Sequence, residues 1–126
     1  MKLVIYGDPR TKKNSQRILM AGNKRFISPS KAYEKYAEEF IVQVPKMARK
    51  SISEALSVCC VYYMQTRRRV DLVNLLEATD DLLVRALVIE DDNSKIVASH
   101  DGSRVLYDKQ NPRVEITIER LIEDGK

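Results

Sequence analysis

Two cysteines and a single histidine are all the thiol and imidazole chemistry that this 126-residue chain carries. The cysteines are adjacent, Cys59-Cys60, inside an apolar run. Neighbours on a strand point to opposite faces, so the two do not bridge easily. They also form no zinc-binding spacing. They read as small core hydrophobes, which suits a reducing cytoplasm. No serine, cysteine and histidine constellation suggests a nucleophilic triad. There is no stretch of about 18 apolar residues for a membrane span and no charged-then-apolar leader. Internal repeats, low-complexity tracts and linkers are missing as well. The expectation is a soluble, cytoplasmic protein with no membrane partner and no organic cofactor.

What is present suits one domain over residues 1–126. Apolar residues make up 44% of the chain, close to the globular average. A chain of this size buries roughly two-thirds of its unfolded surface. Basic residues number 22 against 18 acidic ones, a net charge of +4, a modest lean toward a polyanionic partner. Distribution says more than the total. Residues 10–25 hold Arg10, Lys12, Lys13, Arg17, Lys24 and Arg25 with no acid among them. Residues 77–92 hold Glu77, Asp80, Asp81, Glu90, Asp91 and Asp92 with Arg85 as their one base. A basic lobe beside an acidic patch suits a metal-dependent enzyme acting on phosphates.

The pattern predicts an α+β fold: a mixed sheet packed against two main helices. Residues 2–6 read as a strand closed by Gly7-Asp8-Pro9. Residues 17–20 and 24–27 form a hairpin around Ala21-Gly22-Asn23. Ser28-Pro29 is the expected start of the first helix, with Ser as cap and Pro in the first turn. Its apolar stripe is Tyr33, Tyr36, Ala37, Phe40, Ile41 and Val44. Leu56 to Met64, almost continuously apolar, is the expected central strand. A second helix follows from about Leu72 to Leu87, with Leu72, Leu75, Leu76, Thr79, Leu82, Leu83 and Ala86 inward. Strands are expected at 95–99, at 104–107 and at the alternating segment 114–118.

The chemistry is concentrated around the second helix. Arg67-Arg68-Arg69 runs into Asp71 before it, and Asp91-Asp92 stands after it. Arginines grip phosphodiesters, and carboxylates hold hard divalent cations. A helix of about 16 residues spans roughly 24 Å, so it cannot bring its own two ends together. Periodicity therefore leaves two readings open, a shared metal site or a solvated turn. His100, beside Asp101, is either a general base or a structural residue. The basic segment from Lys12 to Arg25 is either a DNA-tracking arm or a soluble hairpin surface. Tyr33, Tyr36, Tyr62 and Tyr63 read as core rather than as base-stacking platforms.

The stretch Arg67-Arg68-Arg69-x-Asp71-Leu72-x-Asn74-Leu75, then Asp81-x-Leu83, then Glu90-Asp91-Asp92, resembles the RusA-type Holliday junction resolvases of bacteria and phages. Asn14, after a proline-containing loop, is similar to that family's amino-terminal segment. The resemblance implies a homodimer that binds four-way DNA junctions and cuts two opposed strands with Mg²⁺, Mn²⁺ being an alternative. It implies metal-binding catalytic roles for Asp71 and Asp92; the adjacent Asp91 is expected as a further metal ligand. The resemblance also implies that Arg67, Arg68 and Arg69 face DNA, with Asn74 as the motif asparagine beside them; Lys12, Lys13 and Asn14 are expected at DNA from their place in the basic segment. Two positions depart from the family pattern. Val73 stands where the family has a second aspartate, and Glu77 where it has a lysine. Glu77 shares a face with Asn74 at spacing three, so the expectation is that Glu77 replaces the missing carboxylate. The other reading makes Glu77 a surface residue of a junction-binding protein that has lost activity. A nuclease for other branched DNA is the remaining alternative.

Overall fold

A computed structural model of the chain describes residues 1–12, 16–22 and 24–121. In chain order the elements are β1 (Lys2–Tyr6), β2 (Gln16–Ala21), β3 (Lys24–Pro29), α1 (Lys31–Gln43), β4 (Leu56–Met64), α2 (Leu72–Arg85), β5 (Val97–Ser99), β6 (Arg104–Tyr107) and β7 (Arg113–Arg120). The fold is α+β, with a five-stranded mixed sheet, a separate β2–β3 hairpin and two helices.

Strand β4 is the axis of the sheet. It pairs with β7 antiparallel on one side and with β5 and β6, both parallel, on the other, while β1 closes the far edge against β7. Its burial alternates strictly between buried and half-buried. Leu56, Val58, Cys60, Tyr62 and Met64 face the core, and Ser57, Cys59, Val61 and Tyr63 face outward. Cys60 therefore behaves as the expected core hydrophobe, and burial pushes its thiol up to about 12. Tyr33, Tyr36 and Tyr62 are buried, but Tyr63 is not. Its ring lies 3.9 Å beneath the Arg113 guanidinium.

The edge beside β4 is broken between β5 and β6, and side chains bridge the break. His100 Nδ1 meets the Val58 carbonyl at 2.7 Å, and the Cys60 amide donates to Ser103 Oγ at 2.9 Å. A buried strand cannot leave these groups unpaired without cost, so the turn 100–103 does the work of two strand residues. Gly102 allows that turn its left-handed φ of 86°, where a side chain would be strained. A Cβ at this position would also stand 3.1 Å from Cys59 Sγ.

The cap of helix α1 lies two residues later than expected. Ser30, not Ser28, caps it, accepting the Tyr33 amide on Oγ at 3.2 Å. Pro29 instead closes β3. Helix α2 buries Leu75, Ala78, Thr79, Leu82 and Leu83 against the sheet, with Leu72 and Leu76 only partly covered. Thr79 Oγ1 and the Tyr62 hydroxyl share a 2.7 Å hydrogen bond that locks α2 to β4. The expected strand at 95–99 is shorter because the Asn93 carbonyl draws in the Ile96 and Val97 amides as a turn.

Candidate active site

The loop from Gln65 to Asp71 leaves the carboxyl end of β4 and is pinned by Asp8. One Asp8 oxygen accepts the Gln65 amide at 2.9 Å, and the other accepts Arg68 Nη1 at 2.7 Å. Arg68 Nη2 reaches the Pro9 carbonyl, also at 2.7 Å. Arg68 is thus a structural tie paired to Asp8, whose same oxygen Arg10 also approaches at 3.6 Å. Arg67 and Arg69 have no carboxylate partner among the described residues, so their charge stays available to phosphate. Arg67 lies 4.3 Å above the ring of Tyr107. Lys12 pairs with Asp81 on α2 at 3.1 Å. Lys13 and Asn14 lie outside the described residues.

Asp71 occupies the cap position of α2 without capping it with its side chain. Its carboxylate is exposed and accepts Asn74 Nδ2 at 3.3 Å. An aspartate at this position ordinarily takes an amide of the first turn, worth about 1 kcal/mol to the helix. Here the carboxylate takes the Asn74 side chain instead and makes no cap bond to those amides. The sequence pattern Asp71-x-x-Asn74 brings the two side chains together because spacing three puts them on one face. Glu77 is exposed one turn further on.

The second acid group sits at the other end of α2. Leu87 ends the helix in the left-handed region, φ 65°, and Ile89 bridges to Ile52 in parallel. The turn Glu90-Asp91-Asp92-Asn93 follows. Asp91 accepts the Asp92 amide at 2.8 Å and Asn93 Nδ2 at 3.1 Å, which holds its carboxyl below the ordinary value. Asp92 is shifted the opposite way, first by partial desolvation, then by hydrogen bonding to Asp91 and the charges of Asp91 and Asp80. The Leu56–Val97 register places this turn near the amino end of β4, whereas Asp71 follows its carboxyl end. The helix between them has 14 residues, a length of about 21 Å. One chain therefore joins Asp91 to Asp92 and leaves Asp71 apart. Among the described residues, no three His, Cys, Asp or Glu side chains gather to hold a metal. The oxygen donors suit Mg²⁺ or Mn²⁺, which need only one or two carboxylates beside water and phosphate.

A further charged pair, Asp80 with His100, was not foreseen. Asp80 is 8% exposed. His100 Nε2 stands 2.8 Å from Asp80 Oδ2 while Nδ1 stands 2.7 Å from the Val58 carbonyl. Both partners offer acceptor oxygens, so the two contacts are satisfied together when both ring nitrogens carry protons, and the site favours the imidazolium form. The Asp80 hydrogen bond accordingly raises the His100 pKa above its ordinary 6.5, outweighing desolvation. Because the folded value is the higher one, the stabilisation is complete below the ordinary value and fades as pH rises through the folded value. Urea titrations across this range should show wild-type stability falling with rising pH relative to His100→Gln. Parallel profiles would remove the imidazolium from the account.

An exposed aspartate at a helix start, beside a loop with two arginines that no described carboxylate matches, is chemistry suited to phosphodiesters. The comparison with known families agrees: the endodeoxyribonuclease RusA model matches residues 6–119, and the chain belongs to that family. No curated protein matches it significantly. The family implies Holliday junction resolvase activity on branched DNA, generally dependent on divalent metal, in bacteria or phages. No helix among the described residues is long and apolar enough to cross a membrane.

Proposed function

We propose that this chain is a Mg²⁺-dependent, structure-selective endodeoxyribonuclease that resolves Holliday junctions by paired nicks and works as a homodimer. The observation that carries the reading is the exposed Asp71 carboxylate, which caps no backbone amide of α2 and stands beside Asn74 at the foot of the arginine loop. In this reading Asp71 and Asp92 hold the cation, and Asp91 shapes the turn that presents Asp92. When bound, the cation neutralises charge on the scissile phosphate and lowers the pKa of a water. Arg67 and Arg69 grip the flanking phosphates. The uncapped first-turn amides of α2 add neutral donors to the same anion.

The separation of Asp71 from Asp92 supports assembly of each site across two copies. The outward face of α2 bears Val73, 72% exposed, and Leu87 just beyond the helix is 54% exposed. Two α2 helices related by a two-fold axis near residue 80 set Val73 against Leu87 of the partner subunit. The same arrangement carries Asp71 toward the acid turn of the partner subunit. A two-fold interface is self-complementary and makes two equal sites, as two opposed nicks require.

The deciding assay is a labelled mobile four-way junction with Mg²⁺ or with chelator. Paired opposed nicks with Mg²⁺ and none with chelator are expected. Binding without cleavage at any Mg²⁺ level would establish the non-catalytic alternative, which Val73 in place of an acid favours. Preferential cutting of flaps would redirect the substrate. Glu77, proposed as the replacement carboxylate, is tested by Glu77→Gln, expected to slow nicking by at least about tenfold if a charge near the ion is lost. Unchanged nicking would return Glu77 to the solvent-facing surface of α2.

A further inference from the structure

Beyond the acids, a concavity of about 570 Å³ opens between the arginine loop and the sheet edge. This lies within the about 300–1,000 Å³ typical of ligand sites. Tyr63, Arg67, Arg68, Leu106 and Tyr107 are among the side chains that line it. Three features set it apart from a generic surface dent. First, β6 is exposed along its whole length, and Leu106 and Tyr107 are 43% and 39% exposed. Large apolar side chains on an open sheet edge are a liability unless something uses them. Second, the Arg67 guanidinium lies over the Tyr107 ring at 4.3 Å. That pair presents a cationic, π-bearing surface. Third, the charge is one-sided. Arg68 is paired with Asp8, Asp108 is engaged by Arg113 at 3.0 Å, and Arg67 has no carboxylate partner among the described residues.

A flat aromatic or guanidinium surface beside unmatched positive charge is the chemistry that receives a splayed nucleobase with its phosphate. We infer that this concavity is a stacking site for an unpaired base of single-stranded DNA, with Tyr107 as the platform and Arg67 as the planar cation on it. The site stands close to the cleavage machinery, since Arg67 is four residues before Asp71, at most about 14 Å of extended chain. An unpaired base captured here would anchor the strand whose neighbouring phosphates run along Arg69 toward Asp71. Base identity is not read, because every base has a stacking face. The inference rests on the DNA-processing reading and adds to it a contact with bases rather than phosphates.

The test compares binding of a short oligo-dT strand with binding of an abasic strand of equal length, by fluorescence anisotropy in chelator. Stacking of one base is worth about 1–3 kcal/mol, so wild type should prefer oligo-dT by about 5- to 150-fold. Tyr107→Ala should abolish the preference while keeping abasic-strand affinity and its salt dependence. Tyr107→Phe should retain the preference. Arg67→Lys, which loses the plane but keeps the charge, should weaken the preference and spare the salt slope. Equal wild-type affinity for the two strands, or a preference that survives Tyr107→Ala, would overturn the stacking site and leave the cleavage assay untouched. Failure to bind either strand would overturn the stacking site, while the four-way junction assay decides the DNA-processing reading separately.

Discussion

His100→Leu should lower the unfolding free energy by about 2–3 kcal/mol, although the residue lies outside every proposed cleavage role. The loss has two sources. Asp80, almost fully covered, would keep a carboxylate with no cation against it. The Val58 carbonyl on the central strand would lose its partner in the gap between β5 and β6. Removing one member of a buried ion pair costs more than the pair contributes, because the survivor stays desolvated. The double variant Asp80→Leu with His100→Leu should therefore recover most of the lost stability, since apolar replacement of both members is often neutral. Urea unfolding of the two singles and the double forms a closed cycle. A single variant as stable as wild type would dismiss the pair as a structural element. A double variant as weak as the worse single would show that the Val58 contact, not the charge, carries the effect.

That pair also marks where reading the sequence stops. β4 was legible because nine nearly apolar residues have few homes other than the middle of a sheet. α2 was legible because its leucines recur at helical spacing, and β7 because it alternates. Asp71 beside Asn74 was legible because spacing three is a local rule. Asp80 and His100 are twenty positions apart, and each alone looks like ordinary surface polarity. Only the parallel return of the chain beside β4 sets one over the other. The same holds for Arg68, which looks identical to its neighbours in the triplet. Its role as a tie depends on Asp8, sixty positions earlier. The hairpin position of Ser28 was misread because Ser28 and Ser30 both precede helical spacing, and the β2–β3 ladder extends to Pro29. Long-range pairing, not local preference, decided each case.

Mixing two inactive variants should restore activity, and that outcome decides how the acids meet. Asp71→Asn and Asp92→Asn should each lose more than about a hundredfold in junction nicking, beyond the loss typical for groups one layer outside a metal. If each ion is held by Asp71 of one subunit and Asp92 of its partner, the mixed dimer contains one site with both residues altered and one site with both intact. It should nick at about half the wild-type rate per dimer, as one of two symmetric sites. It should also release nicked junctions rather than resolved duplexes, since the opposed strand is left uncut. If both carboxylates instead came from one chain, every site in the mixed dimer would carry one substitution and nicking would stay at the level of the single variants. Differently tagged chains, co-expressed and purified through both tags, supply the mixed dimer free of its parents. The experiment turns on α2 itself, a helix about 21 Å long that holds its own two ends apart. A mixed dimer as inert as its parents would refute the shared site across copies. Restored nicking would place the catalytic acids at the junction of two subunits, so that assembly and cleavage become inseparable.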